Sequence, residues 1–255
     1  MSSKLSAVII TFNEERNIER AILSVQDIAD EIIIIDSFST DQTKAICSKH
    51  NVQFIERTWE GYSATKNYAN SLANYEYILS LDADEALSPA LKKSIFSIKT
   101  KGFNGAYRCN RLTNYIGKWI KRSGWYPDSK IRIFPKSKAE WDGAFVHEEL
   151  LLDPNLKEYL LEGDLYHYSY YSYEDHQERA DKYSILTAQK FYSKGKKANA
   201  LKPYLSAIAR FISMYLIKLG FLEGGKGFMI AWISAKSNIL KYKELRRLHK
   251  NDKGS

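Results

Sequence analysis

Two aspartates stand two positions apart at the end of an apolar run, in the segment Leu79-Ser-Leu-Asp-Ala-Asp-Glu85. Carboxylate oxygens are the hard ligands that Mg²⁺ or Mn²⁺ prefers, and such an ion can in turn bind a diphosphate. An Asp-X-Asp tripeptide alone usually forms a turn or caps a helix. Here a further carboxylate, Asp36, also follows an apolar run, and this favours a binding site at Asp82 and Asp84 over a mere turn.

The segments around these aspartates predict a parallel sheet whose strand ends position the carboxylates. Short runs rich in Val and Ile, typical of buried parallel strands, alternate with segments in which apolar residues have helical spacing. We predict strands at 6–11, 31–36, 52–55 and 77–81, and helices at 15–28, 40–50 and 63–73. Ligands bind at the carboxyl ends of such strands, and polar clusters at 11–15, 36–41 and 82–85 lie at these ends.

Beyond Pro89 the pattern becomes mixed and then helical. We predict a helix at 90–98, strands at 105–111 and 130–134, an aromatic, glycine-containing segment at 115–127, and a largely helical remainder from His167 onward. Composition alone places a boundary near 194–199, which predicts one catalytic domain, residues 1–195, and a helical tail, residues 196–255. No apolar run approaches the roughly 20 residues that cross a bilayer, so we expect no integral membrane protein.

Positive charge is concentrated in the tail, because residues 190–253 carry 15 Lys and Arg against three acids. This indicates an anionic partner, phospholipid or nucleic acid, and a merely solvated basic face is the alternative. Segment 211–222 mixes apolar, aromatic and basic residues and is too short to span a bilayer, which suits an interfacial helix. A helix packed on the catalytic domain or across a homodimer is the alternative.

The N-terminus has no signal-peptide pattern, and the two cysteines are too few for a disulfide framework. We therefore expect a cytoplasmic protein, peripheral at the inner face of the cytoplasmic membrane.

Three segments in order carry a family resemblance: 6–15 (Ser-Ala-Val-Ile-Ile-Thr-Phe-Asn-Glu-Glu), 33–41 (Ile-Ile-Ile-Asp-Ser-Phe-Ser-Thr-Asp) and 82–84. Together they resemble the opening motifs of the family 2 glycosyltransferases, inverting enzymes with the α/β GT-A fold, a mostly parallel sheet flanked by helices. The later part is similar to the glycosyltransferases of lipopolysaccharide core biosynthesis. The resemblance implies a nucleotide-sugar half at 1–90 and an acceptor half at 91–195.

The resemblance assigns donor and metal roles to particular residues. Thr11, Asn13 and Glu14 with Asp36 would hold the uracil and ribose of a UDP-sugar, and Lys66 would lie near the pyrophosphate. An alternative role for Thr11 and Asn13 is to cap the first helix. Two further assignments concern the ion: Asp82 would touch the ribose or the metal, and Asp84 would bind the Mg²⁺ or Mn²⁺ directly, stabilising the charge that develops on the departing diphosphate.

Inversion requires a base that removes a proton from the acceptor hydroxyl. The resemblance favours Glu148, with Asp128 as the alternative, although the chain has His-Glu-Glu where many relatives have a Glu-Asp pair. For His147 the sequence leaves three roles open: a metal ligand, a phosphate contact or a core histidine. Aromatic and cationic residues in 108–128 can stack on sugars and hold phosphates, and we expect Arg111, Trp125 and Asp128 to contact the acceptor.

These inferences predict a metal-dependent transferase that moves one sugar at a time, since the Gln-X-X-Arg-Trp pattern of processive synthases is absent. The expected acceptor is a lipid-linked or lipopolysaccharide-core glycan at an anionic membrane surface. The same chemistry on a protein or soluble glycan is the alternative. A nucleic-acid-binding α/β protein that uses the basic tail is a distant third hypothesis, and it predicts salt-sensitive binding without UDP.

Overall fold

The computed structural model describes residues 3–143 and 148–252, and these divide into two compact units. The first unit contains Met1–Leu112 and Asp128–Tyr168, and the second contains Thr113–Pro127 and Ser169–Ser255. The strands are β1 (Leu5–Thr11), β2 (Glu31–Asp36), β3 (Gln53–Glu56), β4 (Tyr77–Asp82), β5 (Glu85–Leu87), β6 (Ala106–Tyr115), β7 (Lys118–Trp119), β8 (Asp128–Pro135), β9 (Ala139–Asp142), β10 (Glu149–Leu152) and β11 (Glu158–Tyr170). The α-helices are α1 (Ile18–Val25), α2 (Thr43–Cys47), α3 (Tyr62–Leu72), α4 (Pro89–Lys101), α5 (Tyr173–Ser193), α6 (Lys202–Ile212) and α7 (Gly225–Asn251).

Four parallel strands form one half of the main sheet, as the alternating pattern predicted, and the structure shows their order to be β3-β2-β1-β4. The register pairs Thr11 with Asp36 and Ile10 with Asp82. The carboxyl ends of β1, β2 and β4 therefore lie side by side. This places the three predicted polar clusters at one edge of the sheet.

The other half of the sheet is antiparallel, so the sheet as a whole is mixed. The order continues from β4 through β8, β6 and β11 to β5, and β8 is antiparallel to both β4 and β6. No α-helix connects β6 to β8 in the described chain, and antiparallel pairing is the arrangement that such a connection permits. The α/β class with flanking helices agrees with the GT-A fold expected from the sequence.

Hydrophobic residues on the two faces of the sheet form separate clusters. Ile9 and Ile34 belong to one cluster and Val8 and Ile33 to the other, because neighbouring residues of a strand point to opposite faces. All four side chains are almost fully buried. The continuous Ile run of β2 thus reflects a strand that is covered on both sides, as parallel strands usually are.

One strand was assigned wrongly from the sequence. The largely helical remainder was expected to begin at His167, but this residue lies in β11, and α5 begins only at Tyr173. Ser172 accepts a hydrogen bond from the backbone N–H of Asp175 and caps this helix. Alternating aromatic residues in β11 have the period of a strand, and the polar residues between them hid it.

The second unit is a helical assembly in which α7 packs against α5 and α6. Its core contains Tyr115, Met214 and Ile230. A π-helical turn, Ser213–Ile217, and a 3₁₀ turn, Gly220–Glu223, separate α6 from α7. No helix within 3–143 and 148–252 is long and apolar enough to cross a bilayer. The division into residues 1–195 and 196–255 stays a prediction.

Candidate active site

A cavity of about 650 Å³ in the first unit contains four of the predicted site residues: Lys66, Asp82, Arg111 and Glu148. Asp82 ends β4, Arg111 lies in β6, and Lys66 lies on α3, so three separate elements contribute. The remaining lining residues include several further charges: Arg108, Ser129, Lys130, Ile131, Arg132, Trp141, Glu149 and Leu150. The fold therefore brings together residues that are up to 82 positions apart in sequence.

Lys66 connects the predicted donor carboxylate to the predicted base. Its side chain is only 2% exposed, and its Nζ lies 3.0 Å from Asp82 Oδ1 and 3.6 Å from Glu148 Oε1. The ammonium also lies 4.5 Å from the centre of the Trp141 ring. A buried ammonium is costly unless it is paired, and these two carboxylates with the aromatic face provide the compensation.

Asp82 is held in its ionised form by two cations. Burial disfavours the charged carboxylate, but Lys66 and Arg132 outweigh this effect, and the pKa of Asp82 lies below its ordinary range. The second contact is a hydrogen bond of 3.2 Å from Arg132 Nη2 to Asp82 Oδ2. The carboxylate is therefore negative and fixed in position.

Arg132 and Glu85 are members of this cluster that the sequence analysis did not single out. Arg132 Nη2 lies 2.6 Å from Glu85 Oε1, and the Glu85 side chain is fully buried. Arg111 Nη1 approaches the same oxygen at 3.5 Å. The available signal was a charged residue between Ile131 and Ile133 in the apolar second half of β8, where a charge requires a buried partner.

Asp128, the alternative base, is engaged by cations at both of its oxygens. Arg111 donates two hydrogen bonds to Oδ2, at 2.9 Å from Nε and 2.7 Å from Nη2, and Lys130 lies 3.1 Å from Oδ1. Burial raises the pKa of Asp128, but Arg111 and Lys130 together lower it below its usual value. A carboxylate held in this way is a weak proton acceptor. Glu148, with one ion pair at 3.6 Å, is the more suitable of the two candidates.

The two aspartates of the Asp-X-Asp segment have different surroundings. Asp84 Oδ2 lies 3.2 Å from Nε2 of His167, whose strand β11 pairs with β5 in a register that places His167 opposite Glu85. A carboxylate and an imidazole can both ligate a divalent cation such as Mn²⁺. Among 3–143 and 148–252, no group of three His, Cys, Asp or Glu side chains could hold a metal by itself. His147 lies outside the described residues.

The loops that follow β1 and β2 are joined to each other by hydrogen bonds at the carboxyl ends of these strands. Asn13 Oδ1 accepts from the backbone N–H of Thr40 at 2.8 Å, and the N–H of Asn13 donates to Ser39 Oγ at 2.8 Å. Asn17, rather than Thr11 or Asn13, occupies the position before α1, so neither of these residues caps that helix. Thr11 Oγ1 is buried and has no hydrogen-bond partner in the described chain.

Asp36 is fully buried, and both of its oxygens accept hydrogen bonds from Ser39, one from the backbone and one from the hydroxyl. A carboxylate has about four lone-pair sites, so a ligand donor can still be accepted. Two aromatic rings, Phe12 and Phe38, flank this region and are more than half exposed.

Trp125 belongs to the second unit, where its ring packs in an aromatic group. Its centroid lies 5.4 Å from that of Tyr115 and 5.6 Å from those of Tyr170 and His176. The ring is half-buried. Its proposed role in binding an acceptor stays a prediction.

The chain is similar in sequence to several known proteins. The sequence model described as Glycosyl transferase family 2 matches residues 6–146. An uncharacterized glycosyltransferase of Rickettsia typhi is 32% identical over 96% of this chain and 87% of its own. The lipopolysaccharide core biosynthesis glycosyltransferase LpsC of Rhizobium meliloti is 26% identical over 91% and 90% of the two chains. Among solved structures, TarS of S. aureus aligns with a TM-score of 0.45 at 15% identity, over 97% of this chain and 92% of its own.

Proposed function

Because the chain belongs to glycosyl transferase family 2, we propose that it moves one hexose from a UDP-sugar to a lipid-linked or lipopolysaccharide-core acceptor, with inversion and with a divalent metal. The observation that carries this proposal is the buried Lys66, which contacts both Asp82 and Glu148 in one cavity. The proposed cation for the diphosphate, Lys66, thus contacts the proposed base for the acceptor, Glu148. The similarity to LpsC supports the choice of acceptor.

The donor nucleoside would bind at the joined loops after β1 and β2. Thr11 supplies a buried hydroxyl that has no partner in the described chain, and Asp36 supplies carboxylate oxygens beside it in the register. Asn13 and Glu14 shape the first loop, since the N–H of Glu14 donates to Thr43 Oγ1 at 2.9 Å. This arrangement offers polar groups that can pair with the uracil and the ribose.

Asp84 and His167 are the residues that would hold the metal. One supplies a carboxylate oxygen and the other an imidazole nitrogen, and these two atoms lie 3.2 Å apart. A carboxylate oxygen and an imidazole nitrogen are ligands that Mn²⁺ accepts, so this pair of residues would fit a divalent cation. When bound, Mg²⁺ or Mn²⁺ supplies a Lewis acid that stabilises negative charge on the leaving diphosphate. Lys66 and Arg132 each pair with one oxygen of Asp82, so this carboxylate is better placed to orient the donor than to bind the ion directly.

Glu148 would accept the proton of the acceptor hydroxyl. As the proton moves to the carboxylate, the hydroxyl oxygen forms a bond to the anomeric carbon, and the bond from that carbon to the diphosphate oxygen breaks. The electron pair leaves with UDP, and attack from the opposite side inverts the anomeric centre. Lys66 keeps the carboxylate oriented while its ammonium stabilises negative charge on the diphosphate side.

The acceptor would enter from the side of Arg108, Lys130 and Glu149, which line the same cavity and are partly or fully exposed. Arg111 would act by fixing Asp128 rather than by direct contact, because its guanidinium is already bound to two carboxylates. The partly exposed cations suit an acceptor that carries phosphate or carboxylate groups.

A panel of UDP-sugars tests the proposal. Thermal unfolding of the full chain should rise with UDP and Mn²⁺ together, and one UDP-hexose should be hydrolysed slowly without an acceptor. Asp36→Ala should weaken UDP binding, whereas Asp27→Ala, a variant at an exposed carboxylate, should not. If no nucleotide changes the unfolding temperature, the donor assignment is wrong. If a soluble glycan is glycosylated as well as a lipid-linked one, the acceptor assignment is wrong.

A further inference from the structure

Helix α6 is apolar on the side that faces away from its packing partner. It buries Pro203 and Ala207 and leaves five large apolar side chains, from one residue before the helix to the π-helical turn, 42–64% exposed. We call these residues the outer face of α6: Leu201, Leu205, Ile208, Ile212 and Leu216. Their spacing of three and four positions places them on one side of a helix. Solvated helices normally carry polar residues on this side.

The amphipathic segment was expected at 211–222, and the structure divides its residues differently. Phe211 and Tyr215 are half-buried and pack with the core of the second unit, while Leu222 is 56% exposed. The outer face therefore begins ten residues before the expected segment. It contains none of the aromatic residues that suggested an interfacial helix.

Aromatic rings at the start of α7 extend the exposed apolar surface. Phe228 and Trp232 are 42% and 48% exposed, and their rings are nearly parallel with centroids 6.3 Å apart. Phe228 also contacts Phe211 and Tyr215, with centroids 5.7 and 5.8 Å away, so this pair adjoins α6. Tryptophan at such a position is typical of a membrane–water interface.

The exposed charges of this stretch of the chain are positive. Between 201 and 236 the sequence has five Lys and Arg and one acid, Glu223. Glu223 is 8% exposed and lies 2.8 Å from Lys118 Nζ, so it is neutralised within the unit. Lys202, Arg210 and Lys218 are exposed. The surface therefore combines apolar groups for insertion with cations for an anionic partner.

We propose that the outer face of α6 lies in the headgroup region of an anionic lipid bilayer, with the neighbouring cations on phosphate groups. The proposal deepens the function given above, since a lipid-linked acceptor would be presented at the same surface. A second copy of the chain is the less suitable occupant, because joining two such faces would bring like charges together. An apolar helical face with flanking cations is the composition that binds in the plane of an interface.

Sedimentation of the full chain with phospholipid vesicles tests this inference. Vesicles of phosphatidylcholine and phosphatidylglycerol should bind the protein at low salt, and binding should weaken as salt increases. Leu205→Asp/Ile208→Asp should weaken binding on the order of 100-fold, because two apolar contacts are lost and two negative charges meet the anionic surface. Both side chains are more than half exposed, so the change should leave the fold intact.

The matched control is Phe96→Asp/Leu160→Asp, which makes the same charge change at two side chains that are 59% and 62% exposed in the first unit. It should bind vesicles nearly as the parent does. Equal loss in both double variants would show that net charge alone governs binding and would overturn the proposal. A parent that ignores anionic vesicles at low salt would overturn it as well.

Two further measurements separate this inference from the proposed function. UDP affinity should be the same in both double variants, because neither changes a residue that is proposed to bind the donor. If UDP fails to bind but vesicles are bound through α6, the donor proposal fails and the docking surface stands. If ultracentrifugation shows a dimer that Leu205→Asp/Ile208→Asp dissociates, the outer face joins two copies, and the lipid assignment is wrong.

Discussion

Mild acid should destabilise the protein through one buried histidine. His176 is 5% exposed in the second unit, and its Nδ1 lies 2.8 Å from the hydroxyl of Tyr115. Burial lowers the pKa of His176 to about 4, with Arg179 lowering it further and Asp175 opposing the shift. The ring of Tyr170 packs at 4.7 Å and offers no compensating charge. The imidazole is therefore neutral in the folded protein.

The sign and size of the effect follow from the two pKa values. The folded-state pKa of His176 lies below the unfolded value of 6.5, so the unfolded chain binds more protons between them. The free energy of unfolding is therefore highest above pH 6.5 and decreases as the pH falls towards 4. Between pH 7 and pH 5 the expected loss is about 2 kcal/mol, at 1.36 kcal/mol per unit of pKa difference. Carboxylates with lowered pKa, such as Asp128, affect stability mainly at still lower pH.

Urea unfolding followed by circular dichroism at pH 7 and pH 5 measures this loss. His176→Phe should lose about 2 kcal/mol less than the parent over the same interval, whatever its absolute stability. Tyr115→Phe, which removes the hydrogen bond but keeps the buried imidazole, should retain most of the pH effect because burial is the largest cause. Equal losses in the parent and in His176→Phe would refute the reasoning.

Three predictions concern the active site. Glu148→Gln should lower turnover by about 10²–10⁴-fold and leave UDP affinity unchanged, while Asp128→Asn should have the smaller effect on turnover; steady-state kinetics showing the reverse would move the base to Asp128. Asp84→Asn and His167→Gln should each abolish the increase in UDP affinity that Mn²⁺ causes, and calorimetry with and without chelator would contradict this if the increase persists. Lys66→Met should weaken UDP binding even in chelator, and unchanged calorimetric affinity would place the diphosphate elsewhere.

The parallel half of the sheet could be predicted from the sequence because its signal is local. The Ile run of β2 and the polar residues that follow it identify a buried strand and its carboxyl end without any knowledge of partners. Sheet topology then places Asp36 beside Thr11 and Asp82 beside Ile10, which the register shows. Lys66, by contrast, was assigned from the family resemblance, and the structure places its ammonium 3.0 Å from Asp82.

The parts that could not be predicted depend on pairing between distant segments. His167 meets Asp84 only because β11 returns to pair with β5, and no local pattern reports that register. Arg132 and Glu85, which are 47 positions apart, form a buried ion pair. Neither charge would be stable at its buried position without the other, and the sequence does not show that they meet. Assigning His167 to a helix also removed this residue from the candidate partners of Asp84.

Charge balance in the ion-pair network that includes Lys66 and Asp82 gives an independent reason to expect a metal. Four cations, Lys66, Arg111, Lys130 and Arg132, are matched by four carboxylates, Asp82, Glu85, Asp128 and Glu148, through the ion pairs described above. The cluster is therefore neutral before a donor arrives. A diphosphate adds about two negative charges to a buried, low-dielectric site, where uncompensated charge is expensive. Lys66 alone cannot provide this compensation, because it already compensates two carboxylates. A divalent cation at Asp84 and His167 would supply positive charge that the paired cations do not, and for this reason we propose a metal at this site.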